Sequence, residues 1–462
     1  MGHSLSFTRL TARCAPGDGV ARNGRRAIIG NTYLPCHSAA ASDYFGQCYG
    51  NKVKFYARDD ASRSSYHAEN CLHRLKRHEK NATKNHQFTD FYRFITSFPA
   101  LHKLCEVVCD IKVSSLTLQG NDDMTGTEIL IPFAQGVARQ AAALESTCER
   151  AQAWLDTLDI TALRGGTLLF AGIGASYAVL AAPVHELRAA GLRALRSNGD
   201  DMPDGTPPLA DWYLGVSQSG RSPEVVRVLE QQRPGRRLAL VNQADSPLAA
   251  VSADTLWLGT LIDSGMSSVA LLATSVCLGL LTDALIGRDC NAGWRQLPAQ
   301  LDAVRHTARA AVERFAQQAG HTGCIDFVGG GTSLSAAEQG ALLLREGPKM
   351  AAMGMGTRHY LHGMTDAVGH GTAHVLIGGE REILLAKQLV PFGVPILLVT
   401  DQAVSLPGTE TVQLPVLPPL QRLALEILVM DLLAIALGRV VDRDIDAGVV
   451  ARLDTKISGV VS

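Results

Sequence analysis

From residue 129 onward, apolar and polar positions fall into regular periods, whereas the first 123 residues carry no sustained pattern until about 88–113. Ile129, Ile131, Phe133, Val137 and the run 141–144 recur at spacings that turn one apolar helical face toward a core. Gly165-Gly166 breaks that run, and the short apolar stretch 167–173 reads as a strand. It leads through Gly172-Ile173-Gly174-Ala175-Ser176 into a helix expected to reach about residue 190. The next apolar strand, 212–216, delivers Ser217-Gln218-Ser219-Gly220-Arg221-Ser222 and a helix over 222–232. Strands follow at 237–241 and 255–258; the loop Asp263-Ser264-Gly265-Met266-Ser267-Ser268 then opens a long apolar helix ending near 286. This alternation predicts an α/β unit with a parallel sheet. Ligands bind beyond the strand C-termini in such folds, where 172–176 and 217–222 would converge.

The pattern then repeats. After a linker expected at 291–298 come a helix over 301–318, a strand at 324–328, the run Gly329-Gly330-Gly331 and a helix over 336–346. The strand, glycine turn and helix of 168–190 thus recur. A later strand near 374–377 ends in Gly378-Gly379-Glu380-Arg381 and lacks a hydroxyl loop, so only the first half is expected to hold an anion. The most apolar runs, 269–281 and 423–437, are interrupted by polar residues and read as buried helices, since a membrane span needs about 20 apolar residues.

Composition narrows the class. The chain has 462 residues, enough for two or three domains at about 150 each. A net charge of −1 gives neither the basic excess of a nucleic-acid binder nor an acidic tail, so neither a nucleic-acid nor a membrane partner is expected. No sustained apolar run opens the sequence, so a cytoplasmic location is expected. Residues 1–123 differ in kind from the rest. They contain six of the ten Cys (Cys14, Cys36, Cys48, Cys71, Cys105, Cys109), seven of the ten Lys and 13 of the 21 Phe plus Tyr. Cys105 and Cys109 are closely spaced but no second such pair accompanies them, so no metal site is expected. The composition step predicts that 1–123 is a poorly ordered N-terminal extension outside the functional chain, which would begin at or near Met124.

The chemistry-bearing stretch is 217–222. Small hydroxyl residues and a glycine between a strand and a helix set backbone N–H groups and hydroxyls at the positive end of a helix dipole, which suits a phosphate. An ordinary serine N-cap is the plain alternative. Three such loops in one α/β unit favour a phosphorylated or otherwise polar small ligand. The glycines at 172 and 174 do not complete a dinucleotide fingerprint, because position 177 is Tyr.

These residues resemble the sugar isomerase (SIS) domain family, and in particular the isomerase half of glucosamine-6-phosphate synthase. Gly174-Ala175-Ser176-Tyr177 looks like that family's Gly-Thr-Ser-Tyr loop, Ser217-Gln218-Ser219-Gly220 matches its phosphate loop, and Ser267-Ser268 falls at its Ser-Thr pair. The resemblance covers about 124–462. It implies two tandem SIS domains with flavodoxin-like parallel sheets flanked by helices: 124–290 binding phosphate, 291–440 supplying acid/base residues, and a tail, 441–462, entering the site. It implies substrate contacts from Gly174, Ser176, Ser217, Gln218, Ser219, Ser222, Ser267 and Ser268. Glu346 and His362 stand 16 residues apart, the spacing of the family's helix-terminal Glu and ring-opening His. In the family that Glu moves a proton between C1 and C2 of an open-chain sugar, and the His arrives from a neighbouring subunit, which implies a homodimer sharing its active site. The segment Asp442-Arg443-Asp444-Ile445-Asp446 followed by Lys456 resembles the family's terminal acidic segment and lysine, with Arg452 the competing cation. A carboxylate, a histidine and an amine of this kind serve proton transfer and carbonyl chemistry without a cofactor.

The implied function is that of a phosphosugar isomerase, or of a deaminase or deglycase acting on an amino-sugar phosphate; the alternative is a non-catalytic phosphosugar-binding regulator. The sequence also departs from the family pattern. Ala175 replaces a Thr, Val269 replaces a Lys, Gly347-Pro348-Lys349-Met350 replaces a polar segment, and no glutaminase domain is recognised, so ammonia from glutamine is not expected.

Overall fold

The computed structural model describes residues 130–289, 291–450 and 455–457, together with the backbone of four strands within 25–57. The chain divides into two units, Met1–Met124 and Thr125–Ser462. In the first, Arg25–Ile29 pairs antiparallel with Thr32–Cys36, and Tyr44–Tyr49 with Lys52–Ala57. The sequence reading placed no strands there, although a signal was present. A Gly-Asn dipeptide separates the members of each pair in sequence, and Lys52, Val53, Lys54 and Phe55 alternate polar with apolar. The remainder of 1–129 lies outside the described residues, as does the expectation of a poorly ordered extension ending near Met124.

The second unit contains two five-stranded parallel sheets among the described residues. The first comprises β1 (Leu168–Ala171), β2 (Ala194–Ser197), β3 (Trp212–Ser217), β4 (Arg237–Val241) and β5 (Asp254–Trp257) in the order β5-β4-β3-β1-β2. The second comprises β6 (Cys324–Gly329), β7 (Ala352–Met355), β8 (Thr372–Ile377), β9 (Ile396–Thr400) and β10 (Glu410–Gln413) in the order β10-β9-β8-β6-β7. The connectivity is the same twice. In each sheet the strand order reverses between the first and third strands, which are direct neighbours, β1 with β3 and β6 with β8.

Both faces of each sheet are covered, so the central strands read as continuous apolar runs rather than alternations. Leu168, Phe170, Leu214 and Val216 turn inward to a core shared with Phe327, Val375 and Leu397 of the second sheet, while Leu169, Ala171 and Tyr213 turn outward to a separate cluster. The shared core is filled by α1 (Phe133–Leu155), by α2 (Ala175–Val179) and α3 (Ala181–Ala189) after β1, and by α5 (Val269–Ile286). α6 (Asn291–Thr307), α7 (Arg309–Ala319), α8 (Leu334–Glu346) and α10 (Pro419–Val440) complete it, while α4 (Pro223–Glu230) and α9 (Glu380–Leu389) lie on the outer faces. The two most apolar runs of the sequence are α5 and α10, both buried: of their residues, Leu272, Val276, Leu425 and Leu433 are fully enclosed. α5 is the one described helix long and apolar enough to cross a membrane, and its position is the protein core.

Two sequence expectations need correction. The stretch 291–298 is the first half of α6 and not a linker. Pro298 sits inside that helix, yet Trp294, Leu297, Leu301 and Val304 bury at helical spacing, and their packing outweighs the lost N–H. The helix after β1 breaks at Leu180 into two, with Pro183 in the first turn of the second, where a missing N–H goes unnoticed. Strands β2, β7, β9 and β10 were not read from the sequence.

Candidate functional site

The loop at 217–222 emerges from the C-terminal end of β3, beside the glycine turn that follows β1. Its geometry follows from its residues. Gly220 takes φ +62, and a Cβ there would lie 2.1 Å from Ser246 Oγ, so no other residue fits unchanged. Gly220 O accepts from Leu248 N at 3.0 Å and Gln218 O from Asn242 N at 2.9 Å, which fixes the loop against the neighbouring turn. Ser217, Ser219 and Ser222 are buried. Ser217 Oγ and Ser222 Oγ share a hydrogen bond of 3.1 Å. Ser222 is the N-cap of α4 but makes no side-chain cap bond, and Pro223 follows, so the N-terminal N–H groups of α4 are not satisfied by a local side chain. Gln218 lines the same turn, half-buried. On the neighbouring turn Gly174 takes φ +57, a conformation glycine adopts without strain, and half-buried Ser176 lies in the first turn of α2.

The C-terminal tail reaches this loop. Lys456 Nζ donates to Ser219 Oγ at 3.0 Å, and Ile457 N donates to Arg221 O at 2.8 Å. Further upstream the tail is anchored twice more. Lys349 Nζ donates to the Asp444 carbonyl at 2.9 Å, and Asp446 accepts from Phe133 N at the start of α1 at 2.8 Å. Arg452, the competing cation, lies outside the described residues.

The third loop behaves differently from expectation. Asp263 is buried and accepts from the backbone N–H groups of Ser264, Ser268, Val269 and Ala270 and from the hydroxyls of Ser267 and Ser268. The N-terminus of α5 therefore already holds an anion, supplied by the chain itself. Ser268 is enclosed behind this carboxylate, whereas Ser267 is half-buried. Sequence reasoning included Asp263 in the loop but gave it no role; an acid just ahead of an apolar helix was the available signal.

Glu346 ends α8, half-buried, and Gly347 packs against Met266 of the Asp263 loop: a Cβ at Gly347 would lie 3.1 Å from the Met266 methyl. α8 is clamped to the first sheet's helices. Arg196 of β2 makes a bidentate pair with Glu338, at 2.6 and 2.8 Å, and lies 4.3 Å over the Tyr177 ring; Ala182 N donates to Ser335 Oγ at 2.9 Å. The second half's Glu346 is thus carried on a helix docked against α2 and α3, the helices that begin at the Gly174 turn. His362 makes no hydrogen bond or ion pair with the loop at 217–222. It follows the short helix Thr357–Tyr360 and is exposed.

A second polar cluster went unread in the sequence. His374 is fully buried on β8, with Nδ1 3.2 Å from the Tyr360 hydroxyl and Nε2 3.1 Å from Thr372 Oγ1. Burial lowers its pKa to about 4, so at neutral pH its 3.8 Å approach to Asp326 is a contact of a neutral imidazole and not an ion pair. Burial likewise raises the Asp326 carboxyl and the Tyr360 phenol. Among the described residues no group of three His, Cys, Asp or Glu is placed to hold a metal ion.

No family model and no curated protein matches the sequence. Solved structures do match in fold. The C-terminal domain of glucosamine-fructose-6-phosphate aminotransferase from Francisella tularensis superposes with a TM-score of 0.61 at 15% identity, over 69% of this chain and 98% of that one. Tagatose-6-phosphate ketose/aldose isomerase from Escherichia coli gives 0.58 at 15% identity, over 69% and 96%. Glucosamine-6-phosphate deaminase from Thermotoga maritima gives 0.54 at 17% identity, over 68% and 96%. The chain therefore has the fold of the sugar isomerase proteins, as the sequence resemblance led one to expect.

Proposed function

We propose that the Thr125–Ser462 unit is a phosphosugar isomerase, or a deaminase or deglycase that uses the same proton transfer, built from two tandem sugar isomerase domains. The observation that carries this reading is the Lys456 amine on Ser219, in a loop of buried hydroxyls at the uncapped N-terminus of α4. Ser217, Gln218, Ser219 and Ser222 would hold the substrate phosphate, and Lys456 would balance its charge or polarise the carbonyl of the open chain. Gly174 and Ser176 lie on the adjoining turn and would meet the sugar; half-buried Ser267, which donates to Asp263, would offer it a hydroxyl lone pair, whereas Ser268 is enclosed and bonded to Asp263 and Ser264 and would act only by holding that loop. Glu346 would take a proton from C2 and return it to C1, or the reverse, while a second proton passes between O2 and O1, which balances the aldose–ketose pair. His362 would open the ring from a second copy of the chain, so the functional form would be a homodimer. A phosphosugar sensor without turnover is the second reading; it would use the loop at 217–222 without needing Glu346, His362 and Lys456 together.

The test is turnover of fructose 6-phosphate, glucosamine 6-phosphate and fructosamine 6-phosphates, followed by product isomer and by amine release. Glu346→Gln is expected to lower kcat by about a hundredfold or more with phosphate affinity kept. Turnover retained in Glu346→Gln would remove it from the role. Tight binding without turnover would favour the sensor.

A further inference from the structure

The repeated strand order gives the second sheet its own reversal point, between the turn after β6 and the turn after β8. A cavity of about 570 Å3 opens there, within the range of roughly 300–1,000 Å3 common to small-molecule sites. Its floor is built unlike the loop at 217–222. The turn after β8 is only Gly378-Gly379, and the place an anion would take is filled by the buried carboxylate of Glu382 from the first turn of α9. Glu382 accepts from Gly379 N at 2.9 Å and from the Thr357 hydroxyl. A Cβ on Gly378 would stand 2.4 Å from its Oε2, so the glycine admits the carboxylate. Arg422 also lines the cavity but is already paired with Asp401 and Glu426, so the floor presents the Glu382 carboxylate, which disfavours a phosphate there. A hydroxyl pair is not disfavoured, because each carboxylate oxygen has used one lone pair and keeps another.

The mouth has the opposite sign. Arg358, His359, Arg381 and His185 line it and are exposed, with Glu380 the acid among them. An occupant must therefore offer hydroxyl donors inward and negative charge outward. We infer that this cavity is a second small-molecule site, for a phosphate ester bearing a vicinal diol, with the diol on Glu382 and the phosphate on Arg358 and Arg381. A buried acid reading a ribose diol beside a glycine turn is a known use of a sheet reversal point, and a guanidinium pair suits a phosphate better than lysines would. This site is independent of the phosphosugar reading, which rests on the other sheet.

The probe is AMP, which carries phosphate and diol but has no free carbonyl carbon for sugar isomerisation. Calorimetric titration of the full chain is expected to give saturable AMP binding. Affinity should fall about tenfold or more in Arg358→Ala and in Arg381→Ala, and by a similar factor for 2′-deoxy-AMP. Glu382→Gln keeps an acceptor for Gly379 N and should leave the melting temperature nearly unchanged while weakening AMP. Ser219→Ala should leave AMP binding as it was. The inference is overturned if AMP does not bind, if neither arginine variant alters its affinity, if the deoxy analogue binds equally well, or if Ser219→Ala abolishes binding. The last outcome would move the nucleotide to the loop at 217–222. Loss of phosphosugar binding in Ser219→Ala with AMP binding intact would separate the two sites.

Discussion

Replacing Gly220 with Ala tests the loop at 217–222 more sharply than removing any of its hydroxyls. The substitution adds one carbon at φ +62, where an L-residue is disfavoured by about 1–2 kcal/mol. That carbon would also lie 2.1 Å from Ser246 Oγ and 2.4 Å from Ser246 Cβ, so Ser246 must move. Ser246 accepts from Ala249 N as the cap of the short helix Pro247–Ala250, and losing a cap costs about 1 kcal/mol. Together these give about 2–3 kcal/mol, a loss that lowers the melting temperature by several degrees without unfolding the protein. Relief of the clash displaces the loop by some tenths of an ångström at least, and charge-assisted bonds to a phosphate tolerate that poorly. Affinity for a phosphosugar is expected to fall more than tenfold. Gly235→Ala is the control: a Cβ there meets nothing within 4 Å, and neither stability nor affinity should change measurably. Thermal unfolding and ligand titration on the two variants side by side decide the matter. Wild-type phosphosugar affinity in Gly220→Ala would refute the assignment of this loop as the phosphate clamp.

Two further outcomes bear on groups away from that loop. Asp263→Ala strips the carboxylate from four backbone N–H groups and two hydroxyls at the start of α5; unfolding in urea should show a loss of about 3–5 kcal/mol, and a change below about 1 kcal/mol would contradict the hub role. His374 binds its proton more weakly in the fold than in the unfolded chain, about 4 against 6.5, so the unfolded state holds more protons between those values and stability rises with pH across that window. The contribution is full above pH 6.5 and falls by up to about 3 kcal/mol as pH drops toward 4, with Asp326, raised by burial, acting in the opposite sense near the acid end. A stability profile flat from pH 6.5 to 4.5, or one that His374→Gln leaves unchanged, would rule out this assignment.

What the sequence disclosed depended on whether a signal was local. The loop 217–222 and the turn 172–176 were legible because glycine and small hydroxyl residues between a strand and a helix have a direct geometric meaning. Lys456 could be named only by resemblance, since nothing in its neighbours says that a residue 237 positions from Ser219 will touch it. The Pro298 misreading arose because a local breaker was weighed without the Trp294 and Leu297 packing that overrides it. The strands β7 (Ala-Met-Gly-Met) and β10 (Glu-Thr-Val-Gln) were missed because neither offers the continuous apolar run that marked β1 and β3. Asp263 and Glu382 were visible as letters but not as hubs. Each acts through backbone N–H groups that only the folded turn brings together, and only a comparison of the two sheets reveals that one reversal point is lined by hydroxyls and the other filled by a carboxylate.

The tail has a consequence for the order in which the molecule matures. The loop at 217–222 leaves the ribosome well before its partner at 456, by about 237 residues, or roughly 10–50 s at 5–20 residues per second. During that interval both sheets can be made and begin to pack while the loop still lacks its amine. Completion of the proposed phosphate site thus comes late in synthesis relative to the loop, timed by the segment around 456 rather than by the sheet that carries the loop.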